Sequence, residues 1–262
     1  MNTKDFALHP SSTPNEGTKG SLYGIIGFPL GHSFSRAFFT EKFAREGIDA
    51  QYLNFEIPDA TMLLDILREN PKLRGLNVTL PHKQAVIPLL DELSDEAREI
   101  GAVNVIRVRN GKLKGFNSDI IGFTESIRPL LQPHHKKALI LGTGGASRAI
   151  RVGLSRLGIE WTYVTRSPRE GMLAYSDLTP EVIEEYTVIV NCSPVGMFPK
   201  VDQAPAIPYE LLSTKHLLYD LVYNPEDTLF MKKGREQGAI VKNGLEMLHL
   251  QAVASWRFWN ED

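Results

Sequence analysis

The sequence predicts an α/β protein of two domains, each built on a mainly parallel sheet. Three observations predict it. Short apolar runs alternate with amphipathic helical stretches, the pattern of strands joined by crossover helices. The rhythm breaks once, at the polar stretch Gln132–Lys137, and then restarts. The second run opens on an apolar strand that ends in the glycine-rich turn Gly142-Thr143-Gly144-Gly145. At 262 residues the chain has room for two domains of ordinary size.

The elements follow in order. Leu22–Gly27 is a short apolar strand. Arg36–Glu46 is a helix, with Phe38, Phe39 and Phe43 on one face. Ala50–Ile57 is a strand, and Ala60–Glu69 a helix after Pro58. Leu76–Leu80 is the next strand, and Pro81 opens a helix to Leu90. Val103–Val108, the turn Asn110-Gly111 and Lys112–Phe116 form a β-hairpin, expected to supply antiparallel edge strands. Ile120–Leu131 is a helix. Beyond the break, Ala138–Leu141 is a strand, Ala146–Leu157 a helix and Glu160–Val164 a strand. Thr187–Asn191, Leu217–Val222 and Ile240–Val241 are further strands, and Gly244–Trp259 is the terminal helix.

Composition narrows the function. A formal net charge of −2 gives no footprint for nucleic acid or an anionic membrane surface. The single cysteine excludes an internal disulfide and a zinc site made of cysteine pairs. The histidines lack metal-site spacing, so no metal is expected. No apolar run approaches the ~20 residues of a membrane span. Met1–Gly20 is polar, without the apolar stretch of a secretory signal, and reads as a flexible extension or a remnant of expression. The expected compartment is the reducing cytoplasm.

The strand–turn–helix at Gly142 points to a dinucleotide. Gly142 permits the tight turn, and Gly144 lets the backbone approach a pyrophosphate. The free N–H groups and dipole of the helix starting near Ala146 favour the anion. The third fingerprint position carries Ser147 instead of glycine. The second strand ends in Thr165-Arg166-Ser167, where an NAD site wants a carboxylate for the ribose hydroxyl. A guanidinium beside two hydroxyls suits a 2′-phosphate instead, so NADP is expected in preference to NAD. The alternative is that Arg166 is a solvated loop charge.

Polar residues cluster at the carboxyl ends of the first strands, where open α/β sheets bind ligands. Ser33 and Ser35 sit at the start of a helix, a seat for a carboxylate, although one of them could serve only as a cap. Asn77 and Thr79 interrupt an apolar strand. Lys83 falls in the expected first helical turn after Pro81, where a cation opposes the macrodipole by roughly 0.3–1 kcal/mol. A locally unfavourable choice of this kind is expected at functional sites. Asp119 precedes a helix and is equally readable as its N-cap. Paired with Lys83, it would complete an acid–base dyad able to move a proton at a carbinol. Asn104 lies nearby in the hairpin.

Together these motifs resemble the shikimate dehydrogenase family, over nearly the whole chain from Tyr23 to Trp259. The resemblance implies NADP-dependent, reversible reduction of 3-dehydroshikimate to shikimate. It implies a substrate domain at 21–119 and 243–262, a Rossmann-like cofactor domain at 120–242, and a last helix that returns to the first domain. Residues 1–20 stand outside both. In the resemblance, Ser33 and Ser35 hold the substrate carboxylate, with Tyr223 near it. Asn77, Thr79, Asn104 and Gln251 bind substrate, and Lys83 and Asp119 are catalytic. Gly142, Gly144, Gly145 and Ala146 form the pyrophosphate loop, with Thr165, Arg166 and Ser167 at the 2′-phosphate. Met197, Gly244 and Met247 lie beside the nicotinamide, although Met197, Met247 and Tyr223 could equally be core.

The chain departs from the family pattern in places. Arg36 replaces a proline, Phe39-Thr40 replaces His-Asn, and Ser118 and Val105 replace threonines. The basic residue expected after Arg166 is displaced to Arg169 and followed by Glu170. Two other functions are compatible with the residues: a quinate or aminoshikimate dehydrogenase using NAD, and a non-catalytic sensor of metabolite and dinucleotide. A small-molecule substrate is expected, with the chain as a monomer or homodimer.

Overall fold

The computed structural model describes residues 20–30 and 34–260. Parallel strands buried on both faces need apolar side chains on both, and the apolar runs assemble accordingly into two sheets. The first contains β1 (Ser21–Gly27), β2 (Ala50–Glu56), β3 (Leu73–Val78), β4 (Glu92–Leu93), β5 (Val105–Arg109) and β6 (Lys112–Phe116), in the order β2-β1-β3-β5-β6-β4. Strands β1, β2 and β3 run parallel; β5 runs antiparallel to β3, and β6 turns back to the direction of the first three. Asn110 and Gly111, with φ of 53° and 73°, make the two-residue hairpin turn between them. The hairpin is not the edge of the sheet. The short β4 pairs parallel to β6 and covers it.

The second sheet contains β7 (Lys137–Leu141), β8 (Glu160–Val164), β9 (Val188–Asn191), β10 (Leu217–Asp220) and β11 (Ile240–Lys242). Its order is β11-β10-β9-β7-β8, parallel throughout. The chain therefore winds outward in both directions from β7 and β9. The crevice at their carboxyl ends is the topological switch point where such sheets bind ligands.

Helix α1 (Phe34–Glu46) packs Phe39 and Phe43 into an aromatic core with Tyr23, Tyr52 and Trp259. Helix α2 (Leu63–Glu69) follows a 3-10 turn at Ala60–Met62. Helix α3 (Asp95–Ile100), which the apolar pattern does not predict, is capped by Ser94. Helix α4 (Asp119–Ile127) leads into the second sheet, and α5 (Gly145–Arg156) links β7 to β8. Helices α6 (Pro180–Glu185) and α7 (Leu229–Glu236) are likewise absent from the expectation; each is capped by a threonine, Thr179 and Thr228.

Two helices join the halves. Phe123 and Ile127 of α4 pack into the core of the second sheet. The terminal helix α8 (Leu245–Asn260) puts Met247 into that same core, while Ala252 and Trp259 enter the aromatic core of the first half. They can lie close because of Gly122: a Cβ there would come within 2.5 Å of the Met247 carbonyl oxygen.

One expected element is missing. No α-helix runs from Pro81 to Leu90; the segment is a series of turns ending in a 3-10 turn at Ile87–Leu89. Pro88 explains it, because proline has no N–H to bond the Gln84 carbonyl and its ring crowds that carbonyl. Ile87 N–H closes back on Gln84 O at 3.1 Å, and the Lys83 carbonyl accepts from Val103 N–H at 2.7 Å instead. Lys83 therefore opposes no helix macrodipole, and its role rests on what its side chain meets. Strand β3 also ends at Val78, which leaves Thr79 just past it.

Candidate active site

Lys83 and Asp119 are brought together. Lys83 Nζ donates to Asp119 Oδ2 at 2.6 Å, with the two side chains 14% and 4% exposed. Their backbones are held separately. His82, buried just before Lys83, sets its Nε2 2.7 Å from the Ile57 carbonyl oxygen, so that nitrogen carries the proton and donates. Asp119 N–H donates to Asn117 Oδ1 at 3.0 Å, and Asn117 Nδ2 donates to the Ala102 carbonyl at 3.0 Å. Asp119 is not the cap of α4 but its first residue; Ser118 is the N-cap and makes no side-chain cap bond. A carboxylate in the first helical turn is favoured by the dipole. A nearly buried ion pair gains little net stability after desolvation. Fold maintenance does not account for this one.

Around the pair lies a polar network. Asn104 Oδ1 accepts from Ser118 N–H at 2.7 Å, and Asn104 Nδ2 donates to Ser118 Oγ at 3.1 Å. Asn77 Nδ2 donates to Ser255 Oγ at 2.9 Å, and Asn77 Oδ1 accepts from the Tyr52 hydroxyl at 2.8 Å. Burial pushes the Tyr52 phenol well up, opposed by a hydrogen bond with the Ser35 side chain. Ser35, Asn77 and Asn104 are therefore tied into one structure with Lys83 and Asp119 by α1, β3, the loop before β5, and α4. Ser33 lies outside the described residues. The Thr79 methyl faces Gly27, where an added Cβ would come within 2.5 Å. Gln251 is half-buried on α8, its Cγ against Gly122 and its carbonyl accepting from Ser255 Oγ.

Tyr52, Ser118 and Ser255 are not among the expected site residues. Ser255 has a faint signal, standing one helical turn past Gln251 on the same face. Tyr52 has none, since a tyrosine in a strand reads as packing. Tyr223, on the other half, sets its ring 6.4 Å from that of Phe34, the neighbour of Ser35 at the start of α1.

Across the molecule, Gly142 has φ of +97°, open to glycine at little cost, and abuts Ser193 of the loop after β9. Gly144 caps α5, and nothing lies within 4 Å of a Cβ added at Gly144 or Gly145. That open cradle at a helix N-terminus fits a pyrophosphate. Ser147, in place of the third glycine, is buried and turns its hydroxyl back to the Gly144 carbonyl at 2.7 Å, while Ala146 precedes it in the first turn. Thr165, Arg166 and Ser167 leave the end of β8, with Arg166 and Ser167 exposed. Met197 is 47% exposed on the loop after β9, whereas the Met247 side chain is packed in the core. Gly244 sits against the Leu221 carbonyl, which an added Cβ would strike. Among the described residues no group of three or more His, Cys, Asp or Glu could hold a metal ion.

A parallel sheet with a glycine turn at its switch point, joined to a mixed sheet that holds a lysine–carboxylate pair, defines a dinucleotide-dependent oxidoreductase. Comparison with known proteins gives the family. Residues 25–106 match the family model described as the shikimate dehydrogenase substrate binding domain. A shikimate dehydrogenase (NADP(+)) of Desulforamulus reducens is 36% identical, over 92% of this chain and 90% of its own. The Thermus thermophilus shikimate 5-dehydrogenase, solved in complex with NADP(H) and shikimate, superposes with a TM-score of 0.81 at 32% identity, covering 92% of this chain and 93% of that one. The Listeria monocytogenes shikimate 5-dehydrogenase, solved with shikimate and NAD, gives 0.81 at 28% identity, covering 96% and 95%. The chain belongs to the shikimate dehydrogenase family.

Proposed function

We propose that this chain catalyses the NADP-dependent, reversible reduction of 3-dehydroshikimate to shikimate. The observation that carries the reading is the 2.6 Å ion pair between Lys83 and Asp119, sheltered within a polar network and joined to a half that suits a dinucleotide. A purely binding protein has no use for a proton-transfer pair so placed. When bound, the reduced nicotinamide supplies the hydride that the substrate's keto carbon receives.

The chain's own residues do the rest. Lys83 donates a proton to the carbonyl oxygen as negative charge grows there, and takes it back in the oxidising direction. Asp119 holds the amino group of Lys83 in place, as the ammonium that gives the proton and as the amine that takes it back. Asn77, Asn104 and Gln251 fix the ring hydroxyls, with Thr79 beside them, and Ser33, Ser35 and Tyr223 receive the carboxylate. Such placement converts a collision into an oriented, effectively unimolecular step. Gly142, Gly144, Gly145 and Ala146 would hold the pyrophosphate through backbone N–H groups. Arg166, between Thr165 and Ser167, would pair with a 2′-phosphate. Met197, Gly244 and Met247 would flank the nicotinamide. In this reading residues 21–119 and 243–262 form the substrate domain and 120–242 the cofactor domain.

Initial rates with shikimate and quinate, each with NADP and NAD, test the assignment. The expected result is a kcat/KM highest for shikimate with NADP. A preference for quinate or for NAD would move the chain to a sister activity, and no turnover with any pair would remove the enzyme reading.

A further inference from the structure

Asp220 is the last residue of β10 and is fully buried, at 0% exposure. Its carboxylate takes three donors from three places. Oδ1 accepts from Asn191 Nδ2 at 2.9 Å and from Val222 N–H at 3.0 Å, and Oδ2 accepts from Thr228 Oγ1 at 2.7 Å. The two side-chain donors each hold something further. Asn191, the register partner of Asp220 on β9, accepts through Oδ1 from Ser193 N–H at 3.0 Å and Ser193 Oγ at 2.6 Å. Thr228 Oγ1 accepts from Met231 N–H at 3.3 Å and so caps α7. The loops after β9 and β10 are joined again where Phe198 N–H donates to the Asn224 carbonyl at 3.0 Å.

These two loops leave the carboxyl edge of the sheet on the ligand side of the switch point. One presses Ser193 against Gly142 of the glycine turn, and they carry the exposed Met197 and Tyr223. An acid with no access to water is a costly choice for a strand end among Leu217, Leu218 and Tyr219, all themselves buried. Burial pushes its carboxyl up to about 6, and its three donors oppose that shift. An apolar residue would pack there at less cost, but it could not hold both loops.

We propose that Asp220 is a positioning residue, a hub that locks the loops 191–198 and 221–228 together and so sets Met197 and Tyr223 opposite Lys83 and Asp119. The link to hydride transfer rests on the function proposed above; the locking of the loops does not. For the cofactor the contribution is chiefly to geometry, because Gly144, Gly145 and Arg166, the groups proposed to anchor its phosphates, lie on other segments.

Two variants test it, Asp220→Asn and Thr228→Val, with Thr228→Ser as the conservative control that keeps the hydroxyl. In the unliganded protein, amide exchange across 192–198 and 222–228 should speed up about tenfold or more in the first two, while β7 and α5 stay at the wild-type rate. In turnover, kcat should fall roughly 10–100-fold, with KM for NADP within about threefold, and Thr228→Ser should restore most of the rate. Unchanged exchange in both loops overturns the hub. Equal losses in kcat and in NADP affinity, tracking a general loss of folded protein, overturn its positioning role. If wild-type protein fails to turn over shikimate at all, the functional reading fails, and the exchange measurement still decides whether Asp220 locks the loops.

Discussion

In the first half the polar groups of the site are bonded to one another; in the second, the glycine turn presents backbone to open space. Asn77, Asn104, Lys83 and Asp119 each hold a side-chain partner across 14 to 178 residues of sequence. Gly144 and Gly145 have no atom near where a side chain would begin. In the proposed function a sugar-like substrate must be oriented to within a fraction of an ångström, and groups already bonded to one another suit that task. A pyrophosphate is a large anion that a helix N-terminus can accept through N–H groups alone. The reaction side of this protein is made by tertiary contact, and the anchoring side by local backbone.

The comparison can be broken most forcefully at the pre-set end. Lys83→Ala should lower kcat by roughly 10²–10⁴-fold with little change in KM; near-normal turnover would show that the pair is not the reacting machinery. At the anchoring end, Arg166→Ala should raise KM for NADP about tenfold or more, the value of a lost charge-assisted bond. KM for NAD should stay within about twofold. An equal rise for both cofactors would mean Arg166 does not read the 2′-phosphate.

The join between the halves offers a smaller, structural test. Gly122→Ala would drive a methyl toward the Met247 carbonyl, 2.5 Å away, and should cost about 2–3 kcal/mol of stability. A urea midpoint unchanged from wild type would mean α4 and α8 part without strain. Asp220 sharpens the comparison through pH. Its carboxyl is raised from 3.8 to about 6 in the folded protein by burial, so between those values the folded state binds more protons than the unfolded chain. Stability contributed at this site falls as pH climbs to about 6 and is flat above it. Cys192 and Tyr209, which feel its charge, are both pushed up, chiefly by burial, and neither ionises in that window. Relative to wild type, Asp220→Asn should therefore gain about 1–2 kcal/mol between pH 4.5 and pH 7. Parallel stability curves for the two proteins would contradict the raised carboxyl.

The same contrast governs what the sequence discloses. The glycine turn, its strand and its helix are contiguous, so they can be read directly. The hairpin at Asn110-Gly111 is legible for the same reason, since both residues favour the left-handed conformation it needs. The helix expected after Pro81 fails against Pro88, a residue within its own span. Helices α3, α6 and α7 escape because they are short, at six, six and eight residues, and their apolar face shows only when the sheet is present. At the site, Lys83 is visible as an oddity, whereas local reading leaves Asp119 open between a helix cap and a partner for the lysine. Only the fold shows that Ser118 is the cap and Asp119 meets the lysine. Tyr52 and Asp220 carry no local mark at all, and Ser255 only its spacing from Gln251, because these are polar groups whose partners lie on other elements.

The most direct test is a structure of the ternary complex with shikimate and NADP. The reacting hydroxyl of shikimate should lie within about 2.6–3.2 Å of Lys83 Nζ, and its carbon about 3–3.5 Å from the nicotinamide carbon that carries the hydride. A complex in which shikimate turns that hydroxyl away from Lys83 and Asp119 would contradict the proposed chemistry.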